Sequence, residues 1–279
     1  MNPLVSTDWL AAHLNDVRVV DASWYMPDEK RQPAREFEAG HIPGAVFFDI
    51  DGIADHATDL PHMMPSPEEF ARAAGALGLS NDDIIVVYDG SGIFSAPRVW
   101  WALRRMGHGK VFVLDGGLPK WKAEGRPLVT GKAMPRACRF EARPVAALAR
   151  DYDGVLRHLK AGDAQIVDAR SASRFTAEEK EPRAGLKSGH MPGAVNLPWR
   201  ALLNHDNTLK DDEALRRLFA ERGIDLRAPI VTTCGSGISA AILMLGMEKL
   251  GAADVALYDG SWAEWGGRDG APVETGAGR

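Results

Sequence analysis

One stretch of the sequence, Ile230-Val-Thr-Thr-Cys234-Gly-Ser-Gly237-Ile-Ser-Ala240, decides the fold. Its first four residues are a β-branched run typical of a buried strand, and the residues after Ser239 favour a helix that ends at Gly251. Gly235 and Gly237 allow the loop to curl, so that successive backbone N–H groups converge on one point. The stretch therefore predicts a strand, an anion-binding loop and a helix, with a cysteine at the start of the loop.

Cys234 is the chemically active position in this prediction. Converging N–H dipoles favour a thiolate, which is a nucleophile at neutral pH. The alternative is a buried structural cysteine, but the strand, glycine loop and helix occur together in the order that a reactive cysteine needs. A cysteine phosphatase would need an arginine six residues later, where this sequence has Ala240. Cys138 is the only other cysteine, so no Cys-x-x-Cys pair exists; with no glycine loop around it, we predict a structural role.

The composition is that of an ordinary globular protein. The chain has 279 residues, of which 45% are hydrophobic and 25% charged, enough for one large domain or two smaller ones. A net charge of -5 provides no basic surface for nucleic acid or membrane. No apolar run approaches the ~20 residues of a membrane span. Because the start carries no secretion signal and there are only two cysteines, we expect a cytoplasmic protein.

Strand and helix patterns alternate through the first half of the chain. Short apolar runs of strand length are separated by segments that begin at a helix cap, such as the capping box formed by Ser66 and Glu69. The pattern predicts strands at 17–21, 83–88 and 111–114 and helices at 7–14, 66–77 and 95–106. Such alternation is typical of an α/β fold with a mainly parallel sheet.

The second half repeats four landmarks of the first half in the same order. The pairs are Val20-Asp-Ala22 with Val167-Asp-Ala169, Gly40-His-Ile-Pro-Gly-Ala-Val46 with Gly189-His-Met-Pro-Gly-Ala-Val195, Val87-Tyr-Asp-Gly-Ser-Gly-Ile93 with Thr232-Thr-Cys-Gly-Ser-Gly-Ile238, and Asp115-Gly-Gly117 with Asp259-Gly-Ser261. They lie about 145 residues apart, a distance of domain size and far beyond a solenoid period. The chain is therefore predicted to contain a duplicated domain.

The duplication divides the chain into residues 1–130, a linker at 131–150 and residues 151–279. The linker is rich in proline and arginine and has little periodicity. The first copy has Asp89 at the position of Cys234, and a carboxylate does not replace a thiolate nucleophile. We therefore predict that the first copy serves as scaffold and cleft wall, and that the second carries the chemistry.

The loop Cys-Gly-Ser-Gly-Ile-Ser-Ala at 234–240 resembles the active-site loop of the rhodanese superfamily, and within it that of the 3-mercaptopyruvate sulfurtransferases. The resemblance covers nearly the whole chain. It implies two tandem rhodanese-like domains, each a mainly parallel sheet flanked by helices, with catalysis in the carboxy-terminal one. It also implies that the cysteine takes up sulfur as a persulfide. The loop residues that it implies in substrate binding or catalysis are Gly235, Ser236, Gly237, Ile238 and Ser239.

Segment 170–183 resembles the substrate segment of this family. Arg174 and Arg183 match its carboxylate-binding pair, a role that suits the planar donors of arginine. Without the resemblance, the segment would be interpreted as a solvated loop, because residues 178–181 are all charged. Arg170 lies outside the matching pair, and we predict that it forms a structural ion pair.

Two residues of the first copy, Asp51 and His62, match a family aspartate and histidine that are proposed to move protons together with the loop serine, here Ser236. An Asp–His pair is a plausible proton relay because histidine titrates near neutral pH. From the residues alone, His62 is a loop histidine, and His56 is an equally available partner.

Two further histidines, His41 and His190, occur in the repeated motif Gly-His-x-Pro-Gly. Both copies carry this motif although only one carries the cysteine, so we predict a structural turn. The histidines and cysteines show no metal-ligand spacing, and no phosphate loop or dinucleotide fingerprint occurs. No metal or other cofactor is therefore expected.

The predicted function is transfer of sulfur from 3-mercaptopyruvate through a Cys234 persulfide to thioredoxin, a small thiol or cyanide, with release of pyruvate. The related enzymes that prefer thiosulfate carry cationic residues after the cysteine. Gly235 and Ser236 are neutral, which favours mercaptopyruvate. Two alternatives remain open: a thiosulfate:cyanide sulfurtransferase and a non-enzymatic persulfide carrier.

Overall fold

The computed structural model describes residues 2–278, which form two successive five-stranded sheets. Every strand pair in both sheets is parallel. The strands are β1 (Leu4–Val5), β2 (Arg18–Asp21), β3 (Ala45–Phe47), β4 (Ile85–Tyr88), β5 (Val111–Leu114), β6 (Ala149–Arg150), β7 (Gln165–Asp168), β8 (Val195–Asn196), β9 (Ile230–Thr233) and β10 (Val255–Tyr258).

Helices connect the strands and flank both sheets. The α-helices are α1 (Thr7–His13), α2 (Pro33–Ala39), α3 (Pro67–Ala76), α4 (Ala96–Arg105), α5 (Gly117–Ala123), α6 (Tyr152–Ala161), α7 (Ala172–Thr176), α8 (Asp212–Glu221), α9 (Ala240–Lys249) and α10 (Ser261–Trp265). Short 3₁₀ turns occur at Pro27–Glu29, Ala146–Leu148 and Trp199–Leu202. Across the residues that the structure describes, no helix is long and apolar enough to cross a membrane.

The two sheets share one topology. Their strand orders are β1-β5-β4-β2-β3 and β6-β10-β9-β7-β8, so each strand of the second sheet is the counterpart of the strand five positions earlier. The helices follow the same correspondence. The predicted α/β class, the parallel sheets and the duplication are confirmed.

Local sequence patterns account for most element limits. Ser6 caps α1 by accepting from the Trp9 N–H, and Ser66 and Glu69 form the predicted capping box of α3. The central strands β4 and β9 are buried along their whole length, as their near-continuous apolar runs predict. The predicted limits differ from the observed ones by one or two residues, the usual uncertainty at fraying ends.

The two domains share a hydrophobic core built around α4 and α9. Trp100 of α4 and Met244 of α9 are both buried in the same apolar cluster. At the far end of these helices, Arg104 Nη1 lies 2.5 Å from Glu248 Oε2 and bridges the domains. Because α4 and α9 each follow the loop at the end of a central strand, their packing brings the two loops to one cleft.

The segment predicted as the linker, 131–150, lies along the first domain. The Cys138 Sγ donates to the Leu79 carbonyl oxygen at 3.0 Å. Partial desolvation and the nearby charge of Asp83 raise the pKa of this exposed thiol, and its structural role stays a prediction. The last two residues of the segment form β6, so the second sheet begins two residues earlier than the predicted boundary. The other domain limits stay predictions.

The repeated histidines have the same structural contacts in both domains. His41 Nδ1 lies 2.8 Å from the Phe37 carbonyl oxygen, and the two rings stack with centroids 3.8 Å apart. His190 Nδ1 lies 2.9 Å from the Phe175 carbonyl oxygen, with centroids 3.7 Å apart. Both residues are buried in their turns, as predicted for a structural role.

The loop after β4 contains its own anion. Asp89 is buried, and its carboxylate accepts hydrogen bonds of 2.8–2.9 Å from four N–H groups of the loop and the start of the following helix. The donors are Ser91, Phe94, Ser95 and Ala96. The glycine loop predicted from the sequence is therefore an N–H nest, and in the first domain a side chain of the same loop fills it.

We predict that Asp89→Ala lowers the free energy of unfolding by about 3 kcal/mol or more, because several buried N–H donors lose their acceptor. Urea denaturation measures this difference. Asp82→Ala is the matched control: Asp82 is exposed and its side chain has no hydrogen bond or ion pair within residues 2–278. Equal stability of the two variants would contradict the role given to the Asp89 carboxylate.

Candidate active site

Cys234 stands at the carboxyl end of β9 and is 2% exposed. The beginning of α10 holds its loop: the N–H groups of Trp262 and Ala263 donate to the carbonyl oxygens of Cys234 and Gly235, each at 2.9 Å. The Cys234 N–H donates to Ser261 Oγ at 3.2 Å. These bonds fix the loop backbone from one side without using the N–H groups that follow the cysteine.

The N–H nest after Cys234 has no protein acceptor. In the part of the chain that the structure describes, the N–H groups of residues 235–239 donate to no other protein group. The corresponding nest of the first domain is filled by Asp89. By this correspondence, the nest of the second domain is complementary to an anion carried by, or bound beside, the Cys234 sulfur.

Arginine side chains lie close to both loop glycines. Gly237 has a φ of +78°, and a Cβ there would lie 2.8 Å from Arg98 Nη1. A Cβ at Gly235 would lie 3.1 Å from Arg174 Nη2. Arginine side chains therefore approach the loop backbone closely, and at Gly237 the left-handed backbone adds a second reason for glycine. The loop residues are neutral, as predicted, but their surroundings are cationic.

A cleft of about 590 Å³ opens between the domains in front of Cys234. Four of the predicted loop residues line it, whereas Gly237 faces Arg98 instead. The lining from the second domain includes Arg170, Arg174, Arg183, Trp199, Arg200, Cys234, Gly235, Ser236, Ile238 and Ser239. The lining from the first domain includes Trp24, Met26, Glu29, Gly90, Ser91, Phe94 and Pro119. The first copy therefore forms a cleft wall, as predicted.

Arg183 is the predicted site residue most closely associated with the loop. Its Nη2 donates to Ser236 Oγ at 3.4 Å. Burial and then the neighbouring charge of Arg174 lower the pKa of the guanidinium, while Cys234 and Asp51 oppose this shift. Even with a lowered pKa an arginine remains protonated at neutral pH, so Arg183 provides a cation at the cleft floor.

Arg174 lines the cleft but already has a carboxylate partner. Its Nη2 and Nε donate to Glu181, which is almost completely buried. Glu181 also accepts from Arg170 Nη1 at 2.6 Å, and Arg170 pairs with Asp168 at 2.6 Å. The ion pair predicted for Arg170 is thus present. The solvated-loop interpretation is wrong for Glu181, which holds Arg170 and Arg174 side by side.

Asp51 and His62 are neighbours, as predicted. Asp51 Oδ1 lies 2.8 Å from His62 Nδ1, and Asp51 Oδ2 accepts from Trp24 Nε1 at 2.9 Å. The hydrogen bond with His62 is the largest cause of the lowered pKa of the Asp51 carboxyl. His56 is exposed and lies near the Gly52 carbonyl oxygen instead, so it does not compete for Asp51.

The Asp51–His62 pair lies outside the lining of the cleft: the His62 side chain is buried, whereas that of Asp51 is 62% exposed. Neither residue lines the cavity with Cys234. Trp24 lies between them and the cleft: it lines the cavity, and its ring packs edge-on against His62 with centroids 4.8 Å apart. Their part in moving protons with Ser236 stays a prediction.

Sequence reasoning missed the aromatic wall of the cleft. Trp24, Phe94 and Trp199 line it. The ring centroid of Phe94 lies 6.1 Å from that of Trp24 and 5.1 Å from that of Trp199. In the sequence these residues look like core residues, since nothing local distinguishes a cleft wall from an interior. The sequence analysis also missed Ser261, whose hydroxyl accepts from the Cys234 N–H. The sequence indicated this residue only by placing a serine where the first copy has Gly117.

Acidic, histidine and cysteine side chains do not converge into a metal site. Among residues 2–278, no group of three or more of them could hold a metal ion. The cleft instead combines a thiol, an open N–H nest and arginines, a set suited to nucleophilic attack by sulfur on an anionic substrate.

Comparison with known proteins agrees with the fold and the site. The family model for the Rhodanese-like domain matches residues 6–124 and 151–268, once for each sheet. The chain therefore belongs to the rhodanese family, in a form with two domains in tandem.

The most informative relatives are sulfurtransferases. The chain is 44% identical to the 3-mercaptopyruvate sulfurtransferase of Escherichia coli K12, over 97% of both chains. It is 42% identical to the thiosulfate sulfurtransferase of Rattus norvegicus, over 98% of this chain and 94% of the relative. The crystal structure of SseA from Escherichia coli, a 3-mercaptopyruvate sulfotransferase, superposes with a TM-score of 0.87 at 42% identity, covering 94% of this chain and 99% of that one.

We predict that Cys234→Ser abolishes persulfide formation while the protein stays folded, because a serine hydroxyl does not ionise at neutral pH. Intact-mass measurement after treatment with a sulfur donor should show one added sulfur on the wild type and none on the variant. Cys138→Ser is the control and should still take up sulfur. An adduct that disappears in Cys138→Ser would contradict the assignment.

Proposed function

We propose that the protein is a 3-mercaptopyruvate sulfurtransferase that works through a Cys234 persulfide. The observation that carries this proposal is the open N–H nest behind Cys234, with the guanidinium of Arg183 beside it. The first-domain loop demonstrates the preference of such a nest for an anion, because it encloses Asp89. The names of the relatives support the choice of donor.

In this mechanism the Cys234 thiolate attacks the sulfur of 3-mercaptopyruvate. The S–S bond forms while the bond between sulfur and the CH₂ carbon breaks, and its electron pair remains on the carbon as the enolate of pyruvate. The proton of the donor thiol ends on that carbon, so pyruvate leaves and the anionic persulfide remains. The nest N–H groups stabilise the terminal sulfur, an electrostatic contribution of the oxyanion-hole type.

The arginines would position the keto acid. Arg183 is free of any carboxylate partner among the described residues, so its donors are available to the substrate carboxylate. Arg174 still has Nη1 available, and Glu181 fixes the plane of its guanidinium. We propose that Arg183 makes the main contact and Arg174 the supporting one. Asp51 and His62 would support proton movement together with Ser236.

The acceptor half-reaction requires a nucleophile that removes the outer sulfur of the persulfide. We propose a thiol, such as thioredoxin or a small thiol, with cyanide as a substitute in the assay. The cleft is large enough for donor-sized molecules and leaves Cys234 reachable along the aromatic wall. The two free cysteines fit a reducing compartment, and we propose the cytoplasm.

Thiosulfate is the second candidate donor. Arg174 and Arg183 give the cleft the positive charge that a dianion requires, although Gly235 and Ser236 are neutral. The chain is also 44% identical to a relative named thiosulfate/3-mercaptopyruvate sulfurtransferase 1, mitochondrial, of Arabidopsis thaliana.

Steady-state kinetics with both donors, with cyanide as acceptor, tests the proposal. We expect the larger kcat/KM with 3-mercaptopyruvate, because its carboxylate reaches Arg183 while its sulfur reaches Cys234. A larger kcat/KM with thiosulfate would make the protein a thiosulfate sulfurtransferase. Persulfide formation without turnover of either donor would make it a carrier.

We predict that Arg183→Ala lowers kcat/KM for 3-mercaptopyruvate by the equivalent of about 2–3 kcal/mol, the range for a lost hydrogen bond to a charged group. Thiosulfate has no carboxylate and should lose less. Arg200→Ala is the matched control, since Arg200 also lines the cleft but lies over the Trp199 ring. Equal losses for both donors would mean that Arg183 acts on the sulfur rather than on the carboxylate.

A further inference from the structure

The two domains contact each other through a pair of equivalent aspartates. Asp115, directly after β5, accepts from the Leu209 N–H of the second domain at 2.8 Å. Asp259, directly after β10, accepts from the Met64 N–H of the first domain at 2.9 Å. The duplication therefore creates two matching contacts, one beside each nest.

Each contact includes a turn residue with left-handed backbone. His62 and Asn207 stand two residues before the N–H donors, and both have a φ of +62°. On the Asp89 side the fit is direct: a Cβ on Gly92 would lie 2.4 Å from the Asn207 Cβ. The turn of one domain thus packs onto the nest loop of the other.

On the Cys234 side an arginine is inserted into this contact. Arg98 of α4 is 2% exposed, and its Nη2 donates to the His62 carbonyl oxygen and lies 2.6 Å from Asp259 Oδ1. Its Nη1 donates to the Gly237 carbonyl oxygen at 3.4 Å. The guanidinium therefore joins the His62 turn, the catalytic loop and Asp259. The Trp101 ring, 4.5 Å from the guanidinium carbon, fixes it from the side.

Within residues 2–278, the Asp89 side has no counterpart of this arginine. The position in α9 that corresponds to Arg98 is occupied by Leu243, which is buried in the apolar core. The equivalent contact there forms around the Asp115 carboxylate without an arginine, so among the described residues joining the domains does not require a buried ion pair. Because burying an ion pair costs desolvation energy, its presence on the cysteine side alone indicates a role other than adhesion.

We infer that Arg98, held by Asp259, is a positioning residue that fixes the Cys234 nest against the His62 turn. The planar fork of arginine can bind two carbonyl oxygens and a carboxylate at fixed angles, which sets both the aim of the loop N–H groups and the backbone of His62. This role concerns the geometry of the nest and holds for any sulfur donor.

The test uses Arg98→Lys in a Cys138→Ser background, where Cys234 is the only thiol. Lysine keeps the positive charge but cannot bind all three partners. We expect the pH profile of Cys234 alkylation to move upward by about one pH unit, as the nest N–H groups lose their aim. We expect kcat to fall by about 10- to 100-fold while KM changes little.

Arg104→Lys is the matched control. Arg104 is on the same helix and also pairs across the domain boundary, with Glu248, but at the end away from the loop. The Arg104→Lys variant should leave the pH profile of Cys234 alkylation unchanged and kcat within about twofold of the parent protein, even if it lowers the stability. Equal effects of the two variants on the profile and kcat would reduce Arg98 to an ordinary interface residue.

Asp259→Asn provides a second variant in case Arg98→Lys does not fold. It removes the charge that holds the guanidinium but leaves Arg98 itself in place. The alkylation profile should move in the same direction, by a smaller shift. An unchanged profile in a folded Asp259→Asn or Arg98→Lys protein would overturn the inference.

Discussion

The convergence of backbone N–H groups at the end of a central strand is the constraint on which the molecule depends. Such a nest favours an anion, because the positive ends of its N–H dipoles converge on one point. The first domain supplies the anion as the Asp89 carboxylate. In the second domain the same position carries Cys234, whose sulfur becomes an anion by losing a proton. The same loop conformation thus forms an internally hydrogen-bonded loop in one domain and holds the nucleophilic cysteine in the other.

The duplication divides the work between two similar halves. The half without the cysteine nucleophile provides Trp24 and Phe94 to the cleft, and Arg98 to the back of the reactive loop. The half with Cys234 provides the arginines that face the cleft. The pairing of α4 with α9 connects these contributions, because each helix begins at one of the two nests. Neither half contains a complete site.

The parts predicted from sequence are those with a local pattern. The strand, glycine loop and helix around Cys234 follow from chain-local preferences, and the duplication follows from repeated motifs of fixed spacing. Arg174 and Arg183 were predicted through a motif match. The burial of Glu181 was missed because the chain leaves α7 at Thr176, so no helical period relates it to Arg174. The contacts of Arg98 join residues distant in sequence, and only the packing of the domains brings them together.

The two nests also differ in whether their hydrogen-bond acceptor changes during turnover. Asp89 supplies its nest with an acceptor from its own side chain, so that nest has the same partner at every stage of turnover. Under the proposed mechanism, the second nest gains an anionic acceptor only while Cys234 carries the outer sulfur, and hydrogen bonds that form only in the folded state stabilise it. Each sulfur loaded onto Cys234 would therefore add hydrogen bonds to the folded second domain, and each sulfur delivered would remove them. Under that mechanism, turnover is linked to the hydrogen bonding of the half that carries the cysteine and is independent of that of the half that carries the aspartate.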